Sequence, residues 1–194
     1  MNVAIKPQGV IGTRYRIGML VSLASIVMLF TSLSSAYIVR SGLMQDWFPL
    51  AVPRVMFGST ALILLSTVSI KIARRKLKQS LADSYSRYLL LTSLLGLGFL
   101  VSQLIAWRQL AQQGIYISSH PHSSFFYLLT GAHAVHVAGG LLALGFLWLR
   151  SRRPESDKPG WTMKRQAVAD AVSIYWHFMG ALWIYLFLLL FLWR

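Results

Sequence analysis

Five long apolar stretches decide what this chain can become. The hydrocarbon core of a bilayer is about 30 Å thick and asks for about 20 apolar residues per helix. Five segments meet that requirement: about Ile17 to Val39, Leu50 to Ala73, Tyr88 to Trp107, Phe125 to Leu149 and Ala171 to Trp193. They take well over half of the 194 residues, so the loops are short and no sizeable water-soluble domain is left. The expectation is an all-α integral membrane bundle of five transmembrane helices, a single membrane domain over residues 1–194. The segment MNVAIKPQGVIGTRYR ahead of the first stretch offers no small-residue cleavage site. That stretch is also too long for a signal-peptide core, so it is expected to remain as an anchor.

The charge looks out of place until it is located. Lys plus Arg number 19 against five Asp plus Glu, a formal net charge of +14. Taken alone, that balance points to a nucleic-acid binder. With 56% hydrophobic and 12% charged residues, however, the chain cannot cover a soluble surface. The basic residues instead sort by loop. Lys6, Arg14 and Arg16 precede the first span; Lys71, Arg74, Arg75, Lys76, Lys78 and Arg87 lie between the second and third. Arg150, Arg152, Arg153, Lys158, Lys164 and Arg165 lie between the fourth and fifth. Five spans put these fifteen on one side, and only Arg40, Arg54, Arg108 and Arg194 on the other. Positive-inside bias then sets the N-terminus in the cytoplasm and the C-terminus outside. No nucleic-acid partner is expected.

The span interiors hold no Asp, Glu, Lys or Arg; Asp46, Asp83, Glu155, Asp157 and Asp170 fall in loops or at a helix end. Intramembrane ionisable groups mark ion pathways, so an autonomous proton pump, antiporter or voltage sensor is disfavoured. With no cysteine, disulfides, iron–sulfur clusters, thiolate zinc and attached c-type haem are excluded.

Histidine is the remaining ligand type. His133 and His136 lie three apart on the fourth span and His177 lies on the fifth. They invite a b-type haem or a metal. By a rise of about 1.5 Å per residue, His177 is ~10 Å and His136 ~20 Å from the cytoplasmic ends of their helices. Two axial ligands to one iron need one depth, so buried hydrogen-bonding groups are the expectation. His120 and His122 flank Pro121 in a loop and read as a solvated turn. Ala132, Gly139, Gly140 and Ala143 form a small-residue stripe beside His136, which allows close helix approach. Trp47, Trp107, Trp148, Trp161 and Trp193 fall near interfaces, where indoles are favoured, whereas Trp176 and Trp183 are expected to pack. No paired carboxylates, phosphate-binding loop, dinucleotide fingerprint or nucleophilic triad appears.

Several longer motifs carry a family resemblance. Ser123 to Gly140 reads SSFFYLLTGAHAVHVAGG and Tyr175 to Leu186 reads YWHFMGALWIYL. Met28 to Arg40 reads MLFTSLSSAYIVR and Gly98 to Leu110 reads GFLVSQLIAWRQL, while Leu62 to Ser69 matches only loosely. The chain resembles subunit III of the haem–copper oxidases, the cytochrome c and quinol oxidases, in the short five-helix bacterial form. The resemblance implies a buried polar and packing set of Tyr37, Gln103, His133, His136, Gly140, Tyr175, Trp176, His177 and Trp183. It implies no catalytic, cofactor-binding or metal-binding residue in this chain. Haem and copper are expected in partner subunits, namely subunit I with subunit II beside it, with a respiratory supercomplex as a further assembly the resemblance allows. Bound phospholipid is also implied, in a groove between the first two helices and the last three.

Two family carboxylate positions are replaced here, by Ile26 after Ser25 and by Gly180 after the Tyr-Trp-His-Phe run, while Asp170 matches a family glutamate. The implied function is that of a non-redox accessory subunit of a proton-pumping terminal oxidase in the bacterial cytoplasmic membrane. Alternatives are a subunit III-like companion of a nitric oxide reductase, a membrane b-type haem protein, and a small transporter.

Overall fold

A backbone inside hydrocarbon must satisfy its own hydrogen bonds, and the α-helix does so within one segment. The computed structural model describes residues 7–43, 53–117, 121–152 and 161–192, with the side chains of 7–16 and 161–164 excepted. These residues form five α-helices and no strand: α1 Pro7–Leu43, α2 Val55–Lys78, α3 Ala82–Gln112, α4 Pro121–Ser151 and α5 Trp161–Leu192. Each contains a stretch long and apolar enough to cross a membrane.

The helices outrun the expected spans because polar flanks continue the helical backbone past the apolar limit. α1, with 37 residues, extends about 55 Å, well beyond the hydrocarbon core. The second helix instead starts later than expected, after Pro53, whose carbonyl accepts the Met56 amide at 2.9 Å. Trp47, His120 and Trp193, Asp46, Glu155 and Asp157, and the side chain of Trp161 lie outside the described residues.

Both described turns that close a helix use the same device. After α3, Gly114 adopts φ +77°; the Ile115 amide bonds back to the Leu110 carbonyl and the Gly114 amide to that of Ala111, both at 3.0 Å. This pairing satisfies the last carbonyls of a helix and favours glycine at the left-handed position. After α2 the same pattern runs from Leu81 to Lys76 and from Ser80 to Leu77. Ser80 takes the left-handed role there with φ 57°, at a steric cost glycine would not have.

α2 and α3 form a close antiparallel hairpin, α4 packs on α3, and α5 packs on both α4 and α2, closing a ring of four helices. α1 lies outside that ring, against α4 and α5. Among the described residues α1 and α2 do not approach each other. The expected division into two leading helices and three trailing ones, with a groove between, is therefore not how the helices group. α2 belongs with the later helices because its buried hydroxyls are bonded by α3 and α5.

Lipid tails are as apolar as leucine, so burial alone cannot hold these helices together. Close packing and interhelical hydrogen bonds do. α2 presents two hydroxyl columns with a seven-residue repeat. Ser59 accepts from Gln103 Nε2 of α3 at 3.0 Å, and Ser66 accepts from Trp176 Nε1 of α5 at 2.9 Å. One residue further round, Thr60 accepts from Trp183 Nε1 at 3.0 Å, and Thr67 lies under Gly180. Towards the other end Thr92 Oγ1 of α3 bonds Ser69 Oγ at 3.0 Å.

Helix direction alternates, which brings Lys71, Arg74, Arg75, Lys76, Lys78, Arg87, Arg150, Arg152 and Arg165 to one end of the bundle. There Arg74 Nε meets Asp170 Oδ1 at 2.5 Å. Both side chains are part-exposed, so the pair contributes at most about 1 kcal/mol.

Candidate functional site

The interior centres on two indoles of α5. Trp176 and Trp183 lie seven residues apart on one face and both are fully buried. Trp176 is clamped edge and face by missing side chains. A Cβ built on Gly96 of α3 would stand 2.7 Å from the Trp176 ring, and one on Gly140 of α4 would stand 3.0 Å from it. Only glycine leaves room for the ring there, so the indole joins α3, α4 and α5 while its N–H reaches Ser66 of α2. Gly140 is thus buried against the Trp176 ring. The rest of its stripe divides: a Cβ on Gly139 would meet nothing, and Gly139 is exposed. A helix turns about 100° per residue, so two adjacent glycines cannot both face the same contact.

Two turns away, His133 of α4 is fully buried in an aromatic cage. Its ring centroid lies 5.3 Å from that of Trp183, 5.8 Å from Phe99 and 6.4 Å from Phe30. Neither ring nitrogen has a hydrogen-bond partner in the protein. Gln103 in α3 is likewise buried; its Nε2 is bonded to Ser59, and its Oε1 has no partner. His136 is half-buried. Its Nδ1 bonds the Ala132 carbonyl at 2.7 Å, its ring meets Phe30, and its own carbonyl accepts the Tyr175 hydroxyl at 2.9 Å.

His177 departs from the expected buried set. It is exposed, one residue past the buried Trp176 and so turned away from the bundle centre. His133 and His177 therefore do not converge, and α5 gives the interior its indoles rather than an imidazole. Among the described residues no group of three or more His, Asp or Glu gathers in a way that could hold a metal ion.

His122 is a second correction. It is 3% exposed, and its Nε2 shares a 3.0 Å hydrogen bond with the buried hydroxyl of Tyr37. The expected solvated turn is instead the first turn of α4, where the imidazole pins the C-terminal part of α1. Ser123 and Ser124 anchor the same turn by bonding the carbonyls of Tyr116 and Ile117.

Ile26 and Gly180 both pack in the interior. Ile26 is buried in the core on α1, in the same cluster as Phe30. At Gly180 an added Cβ would stand 2.7 Å from the Thr67 methyl group of α2.

Sequence reading missed Ser59, Thr60, Ser66, Thr67, Gly96 and Phe99. The signal was present as hydroxyls repeated seven apart in an apolar helix. In hydrocarbon such a repeat marks a face that meets donors from other helices.

The cage makes a first prediction. Exchanging His133 for Leu removes two unpaired nitrogens and keeps an apolar side chain among the three rings. Stability in a denaturing-detergent titration should stay within about 1 kcal/mol of the parent. A loss of several kcal/mol would mean that the imidazole makes a polar contact the bundle needs.

Residues 7–194 match the protein family described as cytochrome c oxidase subunit III. A probable cytochrome c oxidase subunit 3 of Nocardia farcinica is 31% identical over 180 residues, covering 88% of this chain and 84% of that protein. A cytochrome c oxidase subunit 3 of Thermostichus vulcanus is 32% identical over 183 residues, covering 91% and 86%. One from Synechocystis is 28% identical over 180 residues, covering 90% and 74%. With five apolar helices and bacterial relatives of this kind, the chain is a multi-pass protein of the cytoplasmic membrane. It belongs to the cytochrome c oxidase subunit III family, as a membrane subunit of a haem–copper oxidase.

Proposed function

We propose that the chain is the non-redox accessory subunit of a proton-pumping terminal oxidase. In this reading it packs on the haem- and copper-bearing subunit I, stabilises it during turnover and keeps phospholipid with the complex. The observation that carries the reading is how the interior polar groups are used. The indoles, hydroxyls and amide at the centre tie helices to one another, and His177 is exposed while His133 is buried, so the two do not share a site. A pump or carrier lines a path with ionisable groups. Here the carboxylate of Asp170 sits in an ion pair at the basic end. Proton and electron chemistry then belong to a partner. The gathering of the basic helix ends supports an orientation with that end in the cytoplasm.

Purification in mild detergent through a tag on this chain tests the reading. The expected result is co-isolation of a haem- and copper-containing subunit with oxygen-reducing activity. Isolation of the chain alone with a stoichiometric haem absorbance would overturn it, as would a partner that reduces nitric oxide rather than oxygen.

A further inference from the structure

A pocket of about 540 Å³ opens at the basic end of the bundle, lined by Ala82, Asp83, Ser86 and Arg87 from the start of α3 and by Ser151 and Arg152 at the end of α4. Of these, the two serines are half-buried and the two arginines are exposed. One cation is already positioned: the Arg152 guanidinium lies 4.3 Å over the Trp148 ring, a contact that holds it in place.

The polar groups differ in what they ask of a ligand. Two guanidiniums call for a phosphate-like anion. The Ser151 hydroxyl already donates to the Trp148 carbonyl at 2.7 Å, so its oxygen is left to accept. Asp83 can only accept and repels a second negative charge. The matching ligand carries one anionic phosphate and free hydroxyl groups.

Below the pocket the surface turns apolar along the same two helices. Leu90 and Leu94 continue the face of Asp83 and Arg87 at helical spacing and are 40% and 56% exposed; Leu149 stands three residues before Arg152 and is 61% exposed. Such a strip suits acyl chains and gives a free anion nothing to bind.

We propose that this pocket binds the headgroup of an anionic phospholipid bearing hydroxyls, with phosphatidylglycerol as the type. Arg87 and Arg152 hold the phosphate, Asp83 and Ser151 accept from the hydroxyls, and the tails lie over Leu90, Leu94 and Leu149. The site deepens the lipid-binding part of the function proposed above and rests on it, adding a place and a headgroup class.

The test uses the intact complex in phosphatidylcholine vesicles containing a trace of phosphatidylglycerol with a photoreactive diazirine near the headgroup. Labelled peptides are mapped after illumination. In the parent, label falls on the start of α3 and the end of α4, and unlabelled phosphatidylglycerol competes while phosphatidylcholine does not. In an Arg87→Gln, Arg152→Gln double variant, apparent affinity at those peptides falls about thirtyfold, as expected for two interfacial charges. Equal labelling of parent and double variant would overturn the site, as would competition by inorganic phosphate alone. Label on this chain confined to other peptides would sink this site but leave the broader lipid reading standing. No label anywhere on the chain would end both. Co-purification of the other subunits is scored separately in each case.

Discussion

Replacing Trp176 by Ala should destabilise the bundle by about 3 kcal/mol, the low end of the range for removing a buried aromatic. The low end applies because the transfer of the ring out of water, which adds to such costs in soluble proteins, contributes little against lipid. What remains is the cavity and the lost dispersion contacts. Both are large here, because Gly96 and Gly140 have no side chains to collapse into the space. The Ser66 hydroxyl also loses its indole donor. Trp176→Phe separates the terms: it keeps most of the packing and loses the hydrogen bond, at about 1 kcal/mol. Helicity followed through a denaturing-detergent titration measures both. A Trp176→Ala midpoint equal to that of the parent would show that the indole is not the clamp joining these helices.

Placing a carboxylate at position 180 should be costlier still. A Cβ there would stand 2.7 Å from the Thr67 methyl group, and overpacking of this kind costs about 1–3 kcal/mol. A carboxylate at the centre of a membrane helix adds about 3 kcal/mol. Gly180→Asp is thus expected to lose about 4 kcal/mol or more. The two causes can be separated. Gly180→Ala should show only the steric part, and combining it with Thr67→Ala, which removes the offending methyl, should recover most of the loss. Gly180→Asp should recover only in part with the same partner change. If Thr67→Ala rescued neither variant, the close crossing of α5 over α2 would not be the reason position 180 is glycine.

Some of this was legible in the residues. Span number and alternation follow from hydropathy and from where Lys and Arg fall, because the bilayer imposes one length and one kind of backbone on every crossing. That Trp176, Trp183 and Gln103 belong to the family-like motifs was also readable, and all three lie in the interior. The fate of the histidines was not. His122 looked like a loop residue because a His-Pro-His run carries no helical period, yet Pro121 opens α4 and the imidazole turns inward to Tyr37. His177 shares a motif with Trp176 and Trp183 but faces outward, since one residue rotates a helix by about 100°. The division between Gly139 and Gly140 has the same origin.

By itself the sequence determined five membrane helices, one end of the bundle rich in positive charge, and an interior without acid or base pairs. These depend on composition along the chain and on the solvent around it. The tertiary structure decided which helices are neighbours: that α2 closes a ring with α3, α4 and α5, that α1 stands outside it, and that Gly96 and Gly180 are glycines because other helices cross there. Lipid rewards every apolar face almost equally, so neighbour choice rests on a few hydroxyl–indole bonds and absent side chains. Those become visible only when the helices are side by side.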